Sequence, residues 1–201
     1  QIKYENKPQK NLIIWDEQLA TLGIKIYEYR NEFIEKINKK IKIIHSKITD
    51  NKENIEIKYK TNINKENYLE KLEKNQNIDI QKGYTSIGVH RDDFEIEINK
   101  KNAAIYGSQG QQRSCIISLK LAEADVVYDE IEEYPVVLLD DFMSELDKKR
   151  VKGFIQNIKN NQVLITTTDK INLDTMVYNL YKVDKAKVER MIDNGKVWAW
   201  I

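Results

Sequence analysis

The most informative part of the sequence is an aliphatic run that ends in two acids, Val136-Val137-Leu138-Leu139-Asp140-Asp141. Its aliphatic residues do not alternate with polar ones, so they predict a strand that is apolar on both faces, as in a covered parallel sheet. Open α/β sheets bind ligands beyond the carboxyl ends of their strands. Two adjacent carboxylates at that edge repel each other and require a cation or a proton.

These two acids predict a magnesium and nucleotide site. Nucleotide-hydrolysing enzymes use one acid at this position for magnesium and another group to orient the attacking water. Magnesium fits because it binds through few carboxylates and keeps several waters. One alternative is that Asp141 only caps the next turn, which the apolar character of the strand disfavours. Another is a magnesium-dependent nuclease, but no further acidic cluster or suitably spaced histidine accompanies the pair.

Helical and strand patterns alternate around this run. Three helices are predicted, at residues 64–75, 108 to about 129, and 145–158. Asn64 is the predicted cap of the first. Predicted strands lie at 55–59, 83–88, 94–98 and 163–167, and Asn194-Gly195 predicts a final hairpin. The order favours an α/β fold, in which a parallel layer is joined to a small, mostly antiparallel sheet.

The first part of the chain has a different composition and predicts one long helix. Apolar residues recur there at steps of three and four: Leu12, Trp15, Leu19, Leu22, Ile26, Tyr29, Phe33, Ile37, Ile41, Ile44 and Ile48. A helix of roughly 36 residues would span about 54 Å, well beyond the usual globular length. A single apolar stripe of that length needs a partner, so residues 1–54 are expected to form a projecting helical segment and residues 55–201 a separate α/β part.

Composition limits the remaining classes of protein. The chain has 201 residues, of which 41% are hydrophobic and 32% charged, and this excludes a disordered protein. Its net charge of +1 means that any contact with nucleic acid must be local. The single cysteine, Cys115, forms no intrachain disulfide and favours a reducing, cytoplasmic setting. No apolar run is long enough for a transmembrane helix, so no membrane association is expected.

A local basic surface is the candidate for a nucleic-acid contact. Lys36, Lys40 and Lys47 lie within about 40° of one another on a helical projection, beside the apolar stripe. They could follow a phosphate backbone. They could equally form an ordinary solvated helix face, which is the more common meaning of such a charge run.

Two further segments have both a functional and a plain interpretation. Tyr106–Arg113, YGSQGQQR, places two glycines, a hydroxyl and several amides at a predicted helix start, where unpaired N–H groups favour an anion. A serine before a helix is more often a plain N-cap, although a cap does not need so many glutamines. Ser144–Asp147, SELD, follows the paired acids and resembles a capping-box variant.

Together these segments resemble the ATPase heads of the ABC and SMC-like superfamily, most closely those of the RecF family of bacterial recombinational repair. Four motifs carry the resemblance: the signature motif in Tyr106–Ser114, the Walker B strand in Val136–Asp141, the D-loop in Ser144–Asp147, and the GPHRDD element in Gly88–Asp93, where Val89 replaces the proline. The resemblance extends over nearly the whole chain and is weakest in residues 1–80. Thr166-Thr167-Thr168-Asp169 occupies the position of the switch histidine of transporters.

The resemblance implies a role for each of these residues. Two full-length heads would enclose two ATP molecules, each bound to one subunit and closed by the other subunit's signature motif. Ser108, Gln109, Gly110 and Gln111 would then contact the partner's nucleotide, Asp140 would hold Mg²⁺ through water, and Asp141 would orient the attacking water. Ser144 and Asp147 would lie at the dimer seam, and Thr168 would sense the γ-phosphate. His90 and Arg91 would line a nucleotide or DNA surface, or else belong to an internal salt-bridged turn with Asp92 or Asp93.

The sequence departs from the family in one respect: it contains no G-x-x-x-x-G-K-[ST] motif. In RecF-like proteins this P-loop precedes the arm, so we expect the chain to be the C-terminal part, unable to hydrolyse ATP without the rest. The implied function is ATP-dependent dimerisation that clamps DNA at single-strand gaps and promotes recombinase loading, with RecR and RecO as partners. The alternatives are a nucleotide-gated DNA-binding module without significant catalysis, or another SMC-like head.

Overall fold

The computed structural model describes residues 10–140, 146–158, 161–168 and 178–191. It combines helices with a parallel strand pair, which confirms the predicted α/β class. The chain divides into two compact units, one made of residues 1–36 and 57–95 and the other of residues 37–56 and 96–201. These units do not follow chain order, because the first helix and two strands contribute residues to both. The division predicted at residue 54 concerns the full-length protein and remains a prediction.

Helix α1 runs from Lys10 to Ile48 and confirms the predicted long helix. The later part of its apolar stripe is buried in the second unit, at Ile37, Ile41, Ile44 and Ile48. The earlier part is exposed: Trp15, Leu19, Leu22, Ile26, Tyr29 and Phe33. The face that packs in the first unit instead combines the small residues Ala20 and Gly23 with the partly buried Ile24 and Tyr27. The apolar stripe therefore remains largely open along the first half of the helix.

The first unit is built around Tyr68, the first residue of helix α2 (Tyr68–Lys82). Its ring packs over Gly23 of α1, where an added Cβ would come within 2.8 Å of Tyr68 Cε1. Ala20, Ile63 and Leu72 complete the small core. The prediction that this helix starts at Asn64 was wrong, since Asn64 begins a turn by accepting a hydrogen bond from the Glu66 amide instead.

The strand predicted at 83–88 is also absent. Gly83 ends α2 in the left-handed conformation, with φ of 80°, and the chain then bends into a 3₁₀ turn at Val89–Arg91. The other two predicted strands of this region are confirmed as β1 (Ile55–Lys60) and β2 (Asp93–Ile98). A short β3 (Lys101–Asn102) pairs antiparallel with β2, and the sheet order is β1-β2-β3.

The second unit contains the parallel pair. A short helix α3 (Ala103–Tyr106) leads into the long helix α4 (Gln109–Ile131). Strand β4 (Val137–Leu139) and strand β5 (Val163–Ile165) run parallel in the register Val137↔Val163 and Leu139↔Ile165. Between them in sequence lies helix α5 (Lys148–Asn157), three residues shorter at its start than predicted.

Only one face of this parallel pair is covered by the described residues. Val137 and Leu139 are buried, but Leu138 is 72% exposed and Leu164 is 51% exposed. The expectation of a strand covered on both faces is therefore not met by the part of the chain that the structure describes. The sequence pattern nevertheless fits a strand that receives a second layer from elsewhere.

A last pair of strands, β6 (Leu180–Asp184) and β7 (Lys187–Met191), forms an antiparallel hairpin. Its two turn residues, Lys185 and Ala186, have positive φ, a conformation that usually selects asparagine or glycine. The hairpin predicted at Asn194-Gly195 lies outside the described residues. Within the described part of the chain, no helix is both long enough and apolar enough to cross a membrane.

Candidate functional site

The candidate anion site lies at the exposed start of α4. Ser108 is the N-cap, and its Oγ accepts a hydrogen bond from the Gln111 amide at 3.3 Å. In return, Gln111 Oε1 accepts one from the Ser108 amide at 2.9 Å, which completes a capping box. The plain N-cap interpretation is thus confirmed. It leaves room for an anion, because the first amides of the helix, those of Gln109 and Gly110, have no acceptor within the helix.

Two of the three glutamines of this segment, Gln111 and Gln112, have structural partners, which the sequence did not reveal. Gln112 Nε2 lies within 3.1–3.2 Å of the carbonyl oxygens of Ala103, Ala104 and Gly107, and so holds α3 against the start of α4. Gly107 is needed for space, since an added Cβ would lie 2.4 Å from the Ala103 carbonyl oxygen. Hydrogen bonds within the fold therefore account for Gln111 and Gln112, so these two glutamines no longer favour an anion site.

A buried carboxylate lies behind the capping box. Glu53 Oε1 accepts a hydrogen bond from Gln111 Nε2 at 3.2 Å and another from Arg150 Nη2 at 2.7 Å. The Glu53 side chain is 10% exposed and that of Arg150 is 19% exposed. Glu53 was not among the predicted site residues, because it lies 58 and 97 positions from these partners and belongs to no motif.

His45 completes this cluster from α1. The residue is fully buried, with Nδ1 2.9 Å from Ser118 Oγ and Nε2 3.2 Å from Glu53 Oε2. Burial is the main influence and lowers the pKa of His45, while the carboxylate of Glu53 acts in the opposite direction. His45 is therefore neutral near pH 7. Because a carboxylate can only accept, the single ring proton lies on Nε2 and is donated to Glu53.

Asp147 lies at the other end of the cluster, as the N-cap of α5. Its Oδ1 accepts hydrogen bonds from the amides of Lys149 and Arg150, and its Oδ2 accepts one from Arg150 Nη1 at 3.2 Å. The bond from the Arg150 amide is the main cause of a lowered pKa for Asp147. The helix begins after Asp147 because this short carboxylate satisfies its first donors. Ser144 lies outside the described residues.

The carboxyl ends of the parallel strands bring Asp140 together with a hydroxyl. Thr166 Oγ1 donates a hydrogen bond to Asp140 Oδ1, and the Thr166 amide donates to the Leu139 carbonyl at 2.9 Å. The hydroxyl beside Asp140 is thus that of Thr166, which the sequence analysis did not single out. Thr168, predicted to sense the γ-phosphate, is exposed, as is Thr166. The parallel register could have indicated this neighbour, because Leu139 pairs with Ile165 and the next residues, Asp140 and Thr166, therefore lie side by side. Asp141 lies outside the described residues.

Comparison with known proteins shows to which family the chain belongs. Its sequence is 45% identical to the DNA replication and repair protein RecF of Alkaliphilus oremlandii, over 83% of this chain and 48% of that protein. It is 42% identical to RecF of Clostridium tetani, over 90% of this chain and 52% of that protein. The chain belongs to the RecF family. No family model matches it.

Solved RecF structures agree with this result. The fold is similar to that of the recombination mediator protein RecF with ATP, with a TM-score of 0.76 and 32% identity, and to RecF-ATPrS, with a TM-score of 0.74. Both matches cover 95% of this chain and 53% of the solved chain. The chain therefore spans about half the length of the RecF proteins that it matches.

The GPHRDD-like loop of this RecF chain is anchored in the first unit by Asp92. The Asp92 side chain is 1% exposed and accepts hydrogen bonds from the Tyr59 hydroxyl and from Arg30 Nη1, the latter at 3.3 Å. Burial and the hydrogen bond to Asp92 raise the pKa of Tyr59 to about 12. Asp92 does form an internal salt bridge, but with Arg30 of α1 and not with His90 or Arg91, the cations of the predicted salt-bridged turn. His90 and Arg91 are exposed, and Arg91 lies over the ring of Tyr84.

The three lysines predicted to contact DNA differ in their surroundings. Lys36 forms an ion pair with Glu32 at 2.9 Å, and Lys40 forms one with Asp129 of α4 at 2.6 Å. The hydrogen bond to Asp129 raises the pKa of Lys40. Lys47 is exposed. Local acids therefore offset part of the charge that the sequence assigned to this surface in the RecF chain.

Proposed function

We propose that this chain is the part of a RecF-type ATPase that closes the nucleotide site of a second subunit. The observation that carries the proposal is the exposed, rigidly capped start of α4 in a chain whose solved relatives include RecF with ATP. A helix start offers fixed N–H donors and a positive end of the helix dipole to a phosphate. Donors that are already fixed need no reorganisation when charge develops in a transition state.

The proposed contacts with ATP and magnesium come from two places in the second unit, the start of α4 and the ends of β4 and β5. Ser108, Gln109 and Gly110 contact the γ-phosphate of the partner's ATP, and Gln111 holds the turn that presents them. Asp140 and the hydroxyl of Thr166 fit a hydrated Mg²⁺, which would neutralise charge on the phosphates. Among the described residues, no three acidic, histidine or cysteine side chains converge on one point. This agrees with a magnesium ion that is held mainly by water and phosphate.

Three further roles follow from the same arrangement. Asp141 orients the water that attacks the γ-phosphate. Asp147 and Ser144 lie at the seam between two subunits, and Thr168 senses the γ-phosphate from the end of β5. The exposed position of Thr168 is compatible with a contact to nucleotide, although its hydroxyl carries no charge.

In the full-length protein, ATP-driven dimerisation would clamp DNA at single-strand gaps in the cytoplasm and promote recombinase loading. The names of the relatives, which refer to DNA replication and repair and to the RecFOR pathway, support DNA, RecR and RecO as partners. Lys47, with Lys36 and Lys40, is the candidate DNA contact on α1, and His90 and Arg91 are candidates in the first unit.

The test is a change of charge at Ser108 that preserves its capping role. Asp and Asn cap helices about as well as Ser. Ser108→Asp places a negative charge against the partner's γ-phosphate, and Ser108→Asn is the neutral control of the same size. In the full-length protein, we expect Ser108→Asn to dimerise with ATP and Ser108→Asp to remain monomeric in sedimentation experiments, at unchanged melting temperature. Normal ATP-dependent dimerisation of Ser108→Asp would refute the proposed function.

A further inference from the structure

A continuous hydrogen-bonded chain joins the N-caps of two helices in the second unit. It starts with the Ser108 amide, which donates to Gln111 Oε1 at 2.9 Å, and continues from Gln111 Nε2 to Glu53 Oε1 at 3.2 Å. Arg150 Nη2 donates to the same Glu53 oxygen at 2.7 Å, and Arg150 Nη1 donates to Asp147 Oδ2 at 3.2 Å. The start of α4 and the start of α5 are therefore linked through one carboxylate.

The link is rigid because each of its members is held at two ends. The amide of Gln111 uses its oxygen for Ser108 and its nitrogen for Glu53, so its side chain has one allowed orientation. The other oxygen of Glu53 faces His45 Nε2 at 3.2 Å, and His45 is fully buried. Hydrogen bonds that involve a charged group are stronger than neutral ones, and a low dielectric strengthens them further.

We propose that Glu53 is a positioning residue, which fixes the distance between the Ser108 turn and Asp147 so that both meet a partner subunit as one surface. This inference rests on the proposed function, in which Ser108 and Asp147 face the second subunit. Neither nucleotide nor partner touches Glu53 itself, since it lies behind both turns. Loss of Glu53 should therefore leave nucleotide binding by the separate subunit intact and weaken the ATP-dependent dimer.

The experiment compares three variants of the full-length protein. Glu53→Gln removes the charge but keeps the size of the side chain, and it leaves Arg150 without its buried partner. Glu53→Gln with Arg150→Met removes both charges, which restores most of the stability lost by breaking a buried pair. Glu56→Gln is the matched control three positions away, because Glu56 forms an exposed ion pair with Lys42.

The expected outcome separates positioning from stability. Both Glu53 variants should bind fluorescent ATP with wild-type affinity but dimerise with it about tenfold more weakly, as expected for the loss of a charge-assisted hydrogen bond. The double variant should melt close to the wild type and still dimerise weakly, while Glu56→Gln should behave as the wild type in each measurement. Recovery of dimerisation together with stability in the double variant would overturn the inference, because Glu53 would then act only on folding.

The Ser108 variants distinguish a failure of the inference about Glu53 from a failure of the proposed function. Weak dimerisation of Ser108→Asp with wild-type dimerisation of Glu53→Gln would overturn the inference alone. Normal dimerisation of Ser108→Asp would overturn both.

Discussion

His45 shows how a single buried residue determines a measurable property of the protein. It lies in the second unit with its ring between Ser118 and Glu53, and Arg150 is the nearest cation to the same carboxylate. Burial is the largest influence on its pKa and lowers it. His45 is therefore protonated at a lower pH in the folded protein than in the unfolded chain, where its pKa is about 6.5.

This difference predicts a pH-dependent stability. As the pH falls from 7.5 to 5.5, the unfolded chain takes up a proton on His45 before the folded one, so the free energy of unfolding should fall. One proton contributes a slope of at most about 1.4 kcal/mol per pH unit. His45→Gln should be less stable at pH 7.5 but should lack this slope in urea unfolding, whereas His90→Gln, at an exposed site, should retain it. Equal slopes for His45→Gln and the wild type would contradict the neutral, buried histidine.

Sequence reasoning found some of the site residues and missed others for a physical reason. Ser108 and Asp140 stand next to glycines or aliphatic runs, and these local signals place them correctly at a helix start and a strand end. Glu53 has no such signal, because its role comes from partners that only the tertiary fold brings near. Thr166 was not singled out, because only the register of two short strands brings it beside Asp140, while the sensor role of Thr168 stays a prediction.

Among the secondary-structure elements, α1 was the easiest to predict and leaves the most open surface. Its stripe of apolar residues continues through the whole helix, yet among the described residues only the part from Ile37 onward is buried. Leu22 is 58% exposed, and Trp15 and Tyr29 are more exposed still. A row of large apolar residues at heptad spacing is typical of a helix that packs against a second helix.

We therefore predict that a segment of the full-length protein outside these 201 residues covers this stripe. In the full-length protein, Leu22→Ala should lower the free energy of unfolding by about 2 kcal/mol or more, as at a buried leucine. Lys25→Ala, on the exposed surface of the same helix, should change it by less than about 0.5 kcal/mol. A loss at Leu22 no larger than that at Lys25, measured by denaturant unfolding, would show that the stripe faces solvent.

The ends of elements were harder to predict than their existence. Helix α2 starts at Tyr68 because Asn64 forms its own turn, and α5 starts at Lys148 because Asp147 is the cap. The β6–β7 hairpin was missed because its turn, Lys185-Ala186, contains no residue that favours positive φ. At the two helix starts, a local polar interaction outweighed the average preference of the residues involved.

For the molecule as a whole, the half-covered strand pair and the open stripe of α1 have a common explanation. The chain spans about half the length of its RecF relatives, and it exposes apolar surface on β4, β5 and α1. Exposed apolar surface of this extent normally marks an interface. The sequence predicts an arm of residues 1–54 and a head of residues 55–201. We predict that the remainder of the full-length protein covers the exposed apolar surfaces of both.

The central claim is that Ser108 acts on the nucleotide of the other subunit. Full-length Ser108→Asp lacks a functional signature turn, and full-length Asp141→Asn lacks the group that orients water. Each variant should hydrolyse ATP poorly by itself. In a mixed dimer, one site combines the intact Asp141 of the first variant with the intact Ser108 of the second.

The most direct measurement is therefore ATP hydrolysis by an equimolar mixture of these two variants. The account predicts that activity returns, to less than about a quarter of the wild-type rate, because each mixed dimer has one intact site while the added charge at its other site keeps mixed dimers below half of the total. A mixture as inactive as its separate components would place Ser108 and Asp141 of one and the same subunit at one nucleotide, and would contradict the account.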